Sequence, residues 1–122
     1  MSTAGMQVES TRPDASLLQG IPFLANVDHE ELESLVEASV VRSYTPGQPV
    51  VKQGDFGHSM FILVNGRVSI SVASDEGPKV LGQLGIPGEF FGEFALLGRG
   101  QRSATVTSEM PTTLLEIEKR RF

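Results

Sequence analysis

The sequence predicts a mainly β domain with helices near its N-terminus. Helical periodicity is strong only from Ser16 to Ala38, and from Val40 onward the chain changes to short β-rich runs, each closed by Gly, Pro, Asn or Asp. Many short strands at this spacing are typical of a sandwich, a jelly roll or a small barrel. The length of 122 residues fits one domain.

The N-terminal region predicts one amphipathic helix. Asp28 is the expected N-cap, and Glu31 three residues later suits a capping box. Leu32, Leu35 and Val36 then follow at i, i+3 and i+4. They form one apolar stripe, which we expect to face the core.

Seven strands are predicted in the β-rich region. They are Val40–Tyr44, Pro49–Lys52, Met60–Asn65, Arg67–Ala73, Lys79–Leu84, Ser103–Ser108 and Thr113–Glu116. Asn65-Gly66, between two of them, is a strong signal for a two-residue hairpin turn. Helix formers follow Gly92, so residues 93–97 predict a short helix inserted into the β fold, and such insertions often carry function.

The two ends of the chain and its lack of long apolar runs bear on domain limits and location. Residues 1–15 are small, polar and aperiodic, so we expect a flexible arm there and the folded domain at 16–122. No apolar run reaches the roughly 18 residues of a membrane span, and no secretory signal is visible. We therefore expect a cytoplasmic protein without a membrane segment.

Composition and charge disfavour several classes of function. Lys and Arg number 10 and Asp and Glu number 15, a net charge of −5 that disfavours binding to nucleic acid or to anionic lipid. The absence of cysteine excludes a disulfide framework and a Cys nucleophile. The only two histidines, His29 and His58, lack carboxylates at metal-ligand spacing. We therefore expect no metal site, and, since no catalytic pair is visible, no enzyme activity.

One short segment has the composition of an anion site. Gly92 precedes a predicted helical turn whose first N–H groups have no intrahelical partners, and Ala95 keeps that surface small. Arg102, ten residues after Gly92, could return to the same point and hold two phosphate oxygens. Glu93 would then accept hydrogen bonds from ligand hydroxyls, as in a nucleotide. The alternative is a surface ion pair between Glu93 and Arg102, worth about 0–1 kcal/mol.

Two stretches resemble the cyclic nucleotide-binding domains. Residues 91–97, FGEFALL, followed by 102–106, RSATV, resemble the phosphate-binding cassette of that family. Residues 50–66, VVKQGDFGHSMFILVNG, resemble its glycine-containing stretch. The family includes regulatory subunits of cyclic-AMP-dependent kinase, the catabolite activator protein and cyclic nucleotide-gated channels. The resemblance covers residues 17–122 and implies a β-jelly-roll (double-stranded β-helix) barrel with N-terminal helices and a short helix in the cassette.

The resemblance also implies a role for each matching residue. Arg102 would bind the exocyclic oxygens of a cyclic phosphate, and Glu93 would accept from the ribose 2′-hydroxyl. Gly92 and Ala95 would add backbone contacts. Ser103 stands where the family has Ala, Ser or Thr, which favours cyclic AMP but leaves cyclic GMP open. The implied function is reversible binding of a 3′,5′-cyclic purine nucleotide, without a cofactor, to regulate an attached or associated effector.

The sequence departs from the family pattern in two places. Gln101 replaces the proline that usually precedes the arginine in kinase-type cassettes, and Gly98 and Gly100 make the loop flexible, so ordering it costs affinity. The helical lid of the family would begin where this sequence ends, at Phe122, so we expect either a longer protein or a lid from elsewhere. Two alternatives stay open: a ligand-free barrel that acts as a docking module, and the sensor half of a longer transcription regulator.

Overall fold

The computed structural model describes residues 15–21, 24–93 and 100–118. In this part of the chain a 3₁₀ helix, Ala15–Gly20, and an α-helix, α1, His29–Ala38, precede the strands. The strands are β1 Val40–Tyr44, β2 Pro49–Val51, β3 Ser59–Asn65, β4 Val68–Val72, β5 Lys79–Leu84, β6 Phe90–Phe91, β7 Thr105–Ser108 and β8 Thr112–Glu118. No helix among these residues has the length and apolar composition that crossing a membrane requires.

The described strands form two antiparallel sheets of four strands each. The first has the order β1-β8-β3-β6 and the second the order β2-β7-β4-β5. Side chains from both sheets meet in one apolar cluster, so the sheets pack face to face. The mainly β jelly-roll class is confirmed, and the described strands make two stacked sheets instead of closing into one barrel.

The strands β3 and β8 are buried on both faces. Successive residues of a strand point to opposite sides, so Phe61 and Leu114 enter the core between the sheets while Ile62 and Leu115 face the helices. The second face is covered by a cluster from the 3₁₀ helix, the segment after it and α1: Leu18, Ile21, Leu24, Leu32, Leu35 and Val36. The continuous apolar run of β3 follows from this double burial.

The helix α1 confirms the predicted stripe but not the predicted cap. Leu32, Leu35 and Val36 are its buried residues, as expected. Asp28 occupies the N-cap position, yet its side chain makes no capping hydrogen bond, so the predicted capping box with Glu31 is wrong. The backbone carbonyl of Asp28 accepts from the Leu32 N–H at 2.9 Å, which starts the helix without help from the carboxylate.

The predicted hairpin at Asn65-Gly66 is wrong, because the strands on either side of it belong to different sheets. Gly66 has a φ of +107°, and a Cβ there would lie 2.6 Å from the Cα of Thr112. The turn therefore passes tightly against the start of β8. It is held there by Thr112 Oγ1, which lies 3.2 Å from both the N and the O of Arg67.

The remaining strand predictions differ from the structure only at their ends. Two strands, Val40–Tyr44 and Lys79–Leu84, have the predicted bounds, and the other five shift by one or two residues. The strand Phe90–Phe91 was not predicted, since two residues carry no visible periodicity. Of the predicted cassette helix, only Glu93 is among the described residues, and residues 94–97 lie outside them. Residues 1–14 of the predicted arm also lie outside the described residues.

Candidate functional site

Backbone hydrogen bonds join the segment that carries Arg102 to the loop after β2. The Gly54 N–H donates to the carbonyl of Arg102, and the Arg102 N–H donates to the carbonyl of Asp55, both at 2.8 Å. The Gly57 N–H donates to the carbonyl of Gly100 at 2.7 Å. The two stretches that carry the sequence resemblance are thus in direct contact.

The side chain of Arg102 lies between two glycines. A Cβ at Gly57 would lie 2.6 Å from Nε of Arg102, and a Cβ at Gly92 would lie 2.7 Å from Nη1. Gly92 also has a φ of +80°, a conformation that side chains disfavour. Phe61 lies on a further side, with the guanidinium carbon 5.9 Å from its ring centroid, within the range of a cation–π contact. Glycine at both positions therefore lets the guanidinium occupy this place.

Arg102 is buried and incompletely paired. It is 9 % exposed, and Nη1 has no hydrogen-bond partner among the described residues. Burial lowers the pKa of Arg102, and the negative charge of Glu116 acts in the opposite direction and raises it. A buried cationic donor without an acceptor is costly, so this nitrogen favours the approach of an anion.

The buried arginine lines a cavity with three of the other predicted site residues. Gly92, Glu93, Arg102 and Ser103 all border this cavity of about 460 Å³, which we call the Gly92 cavity. Its apolar walls are Val51, Ile70, Phe91, Ala104 and Val106. Ligand cavities of about 300–1,000 Å³ are typical of small-molecule sites. The fifth predicted residue, Ala95, lies outside the described residues.

Glu93 and Arg102 do not form the surface ion pair that the residues alone left open. Among residues 15–21, 24–93 and 100–118, the ion pairs are His29–Glu33, Arg42–Glu116 and Arg67–Glu109. Glu93 is half-buried, and it is not among the charges that shift the pKa of Arg102. Both side chains therefore border the cavity without neutralising each other.

A second cavity beside Arg102 was missed by the sequence reasoning. It has a volume of about 350 Å³, and we call it the Glu116 cavity. Its polar lining consists of Lys52, Asp55, His58, Ser59, Arg102, Glu116 and Glu118. The sequence of β8 contains a signal for this cavity. Residues 114, 116 and 118 lie on the same face of the strand, and Leu114 enters the core there, so Glu116 and Glu118 also face inward.

The two histidines remain far from a metal-binding arrangement in the described part of the chain. His29 pairs with Glu33 at 3.3 Å on the surface of α1, whereas His58 borders the Glu116 cavity. No group of three His, Asp or Glu side chains that could hold a metal ion occurs among the described residues.

Comparison with known proteins gives one family from sequence and a shared fold from structure. The family model described as the cyclic nucleotide-binding domain matches residues 41–122. A cGMP-dependent protein kinase of Eimeria tenella is 37 % identical over 100 residues, 82 % of this chain and 10 % of the kinase. A cAMP-dependent protein kinase type II regulatory subunit of Drosophila melanogaster is 36 % identical over 90 residues, 74 % of this chain and 24 % of the subunit.

A solved structure shares the fold. The cyclic nucleotide-binding-like protein from Brucella abortus superposes with a TM-score of 0.83 at 22 % identity, over 89 % of this chain and 93 % of that protein.

The chain spans only part of its relatives in sequence, about a tenth of the kinase and about a quarter of the regulatory subunit. By the family model and these relatives, the chain belongs to the cyclic nucleotide-binding domain family.

Proposed function

We propose that this domain binds a 3′,5′-cyclic purine nucleotide reversibly in the Gly92 cavity and thereby regulates an attached or associated effector. The observation that carries the proposal is the buried guanidinium of Arg102, whose Nη1 has no partner among the described residues and which borders that cavity. A cyclic phosphate carries one negative charge and two exocyclic oxygens, which match a guanidinium fork.

Arg102 would bind the phosphate, and its surroundings support that role. The backbone hydrogen bonds to Gly54 and Asp55 fix the position of the residue in the chain. Gly57 and Gly92 leave room for the guanidinium and, at Gly92, for the close approach of a ligand to the backbone. A charge-assisted hydrogen bond to a phosphate oxygen would supply the acceptor that Nη1 lacks.

Glu93 would recognise the sugar. A 3′,5′-cyclic phosphate leaves the ribose 2′-hydroxyl free, and an ionised carboxylate is a strong acceptor for such a donor. Glu93 borders the same cavity as Arg102 and is not paired with it. The arrangement supports selection of ribose over 2′-deoxyribose, and of a cyclic phosphate over a 5′-monophosphate, whose second negative charge would add repulsion with Glu93.

The choice of base depends on the rim and the apolar walls. Val51, Ile70 and Val106 offer an apolar surface to a purine ring. Ser103 is exposed at the rim, where its hydroxyl could contact the phosphate or a guanine base. We favour cyclic AMP over cyclic GMP. The similar regulatory subunit is named for cAMP and the similar kinase for cGMP, so both nucleotides belong in the test.

The regulatory step would follow from binding to two conformations with different affinity. Phosphate would shift Gly92 and Arg102 when it binds, and the backbone hydrogen bonds of Arg102 would carry the change to the loop at Gly54. We expect the apolar side chains of Phe94 and Leu97 to move next, and both residues lie outside the described part of the chain. The effector could be an attached domain, such as that of a transcription regulator, or a separate protein.

Calorimetric titration of the whole chain with cyclic AMP, cyclic GMP and 5′-AMP tests the proposal. We expect saturable binding of a cyclic nucleotide, tighter for cyclic AMP, and rejection of 5′-AMP. Guanosine serves as a second control, because it has the base and sugar without the phosphate. Absence of binding by every cyclic nucleotide, on a sample with native circular dichroism, would favour the docking-module alternative.

A further inference from the structure

Arg102 borders two cavities, and their other charged residues differ. The Gly92 cavity is the one assigned above to the nucleotide. The Glu116 cavity brings carboxylates to the same guanidinium, and Glu116 is the one whose charge acts on the pKa of Arg102. An anion bound in the Gly92 cavity would therefore interact with a cation that already has an internal counter-charge.

Strand register explains why Glu116 lies near Arg102. Glu116 on β8 is the direct partner of Phe61 on β3, so the two side chains share the inner face of the sheet. The guanidinium carbon of Arg102 lies 5.9 Å from the Phe61 ring centroid. The carboxylate and the guanidinium thus both neighbour the ring of Phe61, and both border the Glu116 cavity.

Two hydrogen bonds hold the carboxylate of Glu116. Its Oε2 accepts from the Ser59 hydroxyl at 2.7 Å, and its Oε1 accepts from Arg42 Nε at 2.8 Å. The side chain of Glu116 is 16 % exposed, whereas that of Arg42 is 52 % exposed. The carboxylate is therefore held in place and mostly buried, and Arg42 partly compensates its negative charge on the outer side.

We propose that Glu116 is a positioning residue that weakens nucleotide binding by serving as the counter-charge of Arg102 when no ligand is bound. This inference rests on the proposed function of the Gly92 cavity. It assigns to Glu116 a regulatory part: the carboxylate sets the affinity at which the domain responds.

The reasoning follows from two anions that act on one cation. The phosphate gains less from Arg102 when Glu116 already stabilises the guanidinium, and the two negative charges repel each other across it. Neutralising Glu116 removes both effects, so the nucleotide binds more tightly while the unliganded protein loses stability. Neutralising Arg42 should instead weaken nucleotide binding, because the negative charge of Glu116 is then less compensated and acts more strongly on Arg102.

The test compares three variants of the whole chain: Glu116→Gln, Arg42→Gln and, as a matched control, Glu109→Gln. A glutamine at 116 keeps the shape of the side chain: its amide oxygen can still accept from Arg42 Nε, and its NH2 group can donate to the Ser59 hydroxyl oxygen. Glu109 also accepts from an arginine, Arg67 Nε at 2.9 Å, but it does not border either cavity. Each variant is titrated with cyclic AMP, and its urea midpoint is measured without ligand.

We expect E116Q to bind cyclic AMP about fivefold more tightly, the low end of typical couplings between sites, and to unfold at lower urea. We expect R42Q to bind more weakly than wild type and E109Q to bind like it. Equal or weaker binding by E116Q, beside a wild type that binds, overturns the inference alone. If E116Q does not fold, tighter or unchanged binding by R42Q overturns it. A wild type that binds no cyclic nucleotide overturns the proposed function and this inference with it.

Discussion

Replacing Arg102 with alanine separates a ligand-binding arginine from a structural one. Replacing a structural arginine destabilises the protein, because the contacts of the arginine are lost. Arg102 is 9 % exposed, but its Nη1 has no hydrogen-bond partner in the described residues, so its burial is costly in the absence of ligand. The variant should therefore lose binding and keep its fold.

The loss of binding can be estimated from the contacts that a phosphate would make. Two hydrogen bonds to a charged group contribute about 1.5–3 kcal/mol each. Since about 1.4 kcal/mol corresponds to a tenfold change in Kd, R102A should bind cyclic AMP about 10²–10⁴-fold more weakly. The titration range must extend accordingly, or the affinity must be taken from competition with a fluorescent cyclic nucleotide.

The effect on stability follows from opposing contributions. Removing the unpaired buried donor relieves a penalty of about 1–3 kcal/mol. Removing the contact with the Phe61 ring costs about 0.5–1 kcal/mol. These two contributions leave the free energy of unfolding without ligand between unchanged and about 2.5 kcal/mol higher, and loss of the interaction with the Glu116 charge acts in the opposite direction. The change is measured by urea denaturation with the m-value unchanged.

The matched control is Arg67→Ala. Arg67 is paired with Glu109 and half-exposed, and it lies outside the walls of the Gly92 cavity. Its loss should change stability by at most about 1 kcal/mol and leave the Kd unaltered. An R102A protein that binds cyclic AMP like wild type would refute the assignment, and so would an R102A protein that no longer folds.

Three further predictions follow from the described residues. Glu93→Gln should bind cyclic AMP about tenfold more weakly, because a neutral amide oxygen accepts a weaker hydrogen bond from the 2′-hydroxyl than a carboxylate does. Its preference for cyclic AMP over 2′-deoxy cyclic AMP should be smaller than that of wild type, which calorimetry with both ligands checks. Gly92→Ala should weaken binding at least tenfold, because a Cβ at a φ of +80° overlaps Nη1 of Arg102, whereas Gly82→Ala, with open space around it, should not. Burial first, and then the charge of Glu116, raise the pKa of Tyr44 above 10.0. Because the folded state holds this proton more tightly than the unfolded state, the contribution of Tyr44 to stability is complete below pH 10 and declines above it. Tyr44→Phe should abolish this alkaline decline, which urea midpoints measured across that pH range check.

The strands could be predicted because local signals and tertiary structure agree there. Val40–Tyr44 lies between the end of α1 and the turn residues Pro46-Gly47, and Lys79–Leu84 lies between Gly77-Pro78 and Gly85. The pairing of strands could not be predicted in the same way. Asn65-Gly66 has the composition of a hairpin turn, yet the chain crosses between sheets there, because Leu63 and Val68 on its two sides both enter the core between the sheets.

The candidate site could be predicted only as far as the residues that carry recognisable motifs. Gly92, Glu93, Arg102 and Ser103 border one cavity, as the resemblance implied. Glu116 could not be found by motif: the alternation in β8 places it on the inner face of the sheet, but it does not show which residue lies opposite. Its position near Arg102 depends on its register with Phe61, a pairing between residues 55 positions apart.

The motif residues could be predicted and Glu116 could not, and both outcomes depend on what Arg102 requires. Motif residues are predictable because a bound phosphate of fixed shape and charge would constrain them, whereas the groups that stabilise the unliganded arginine are constrained only by the fold. A guanidinium buried with one unpaired nitrogen makes the unliganded state less stable than a fully paired arginine would. The same deficit leaves an anion more to gain on binding, so the stability that the domain lacks without ligand becomes part of the free energy with which it would hold the nucleotide. Because Glu116 reduces that deficit, resting stability and ligand affinity should change in opposite directions when this carboxylate is altered.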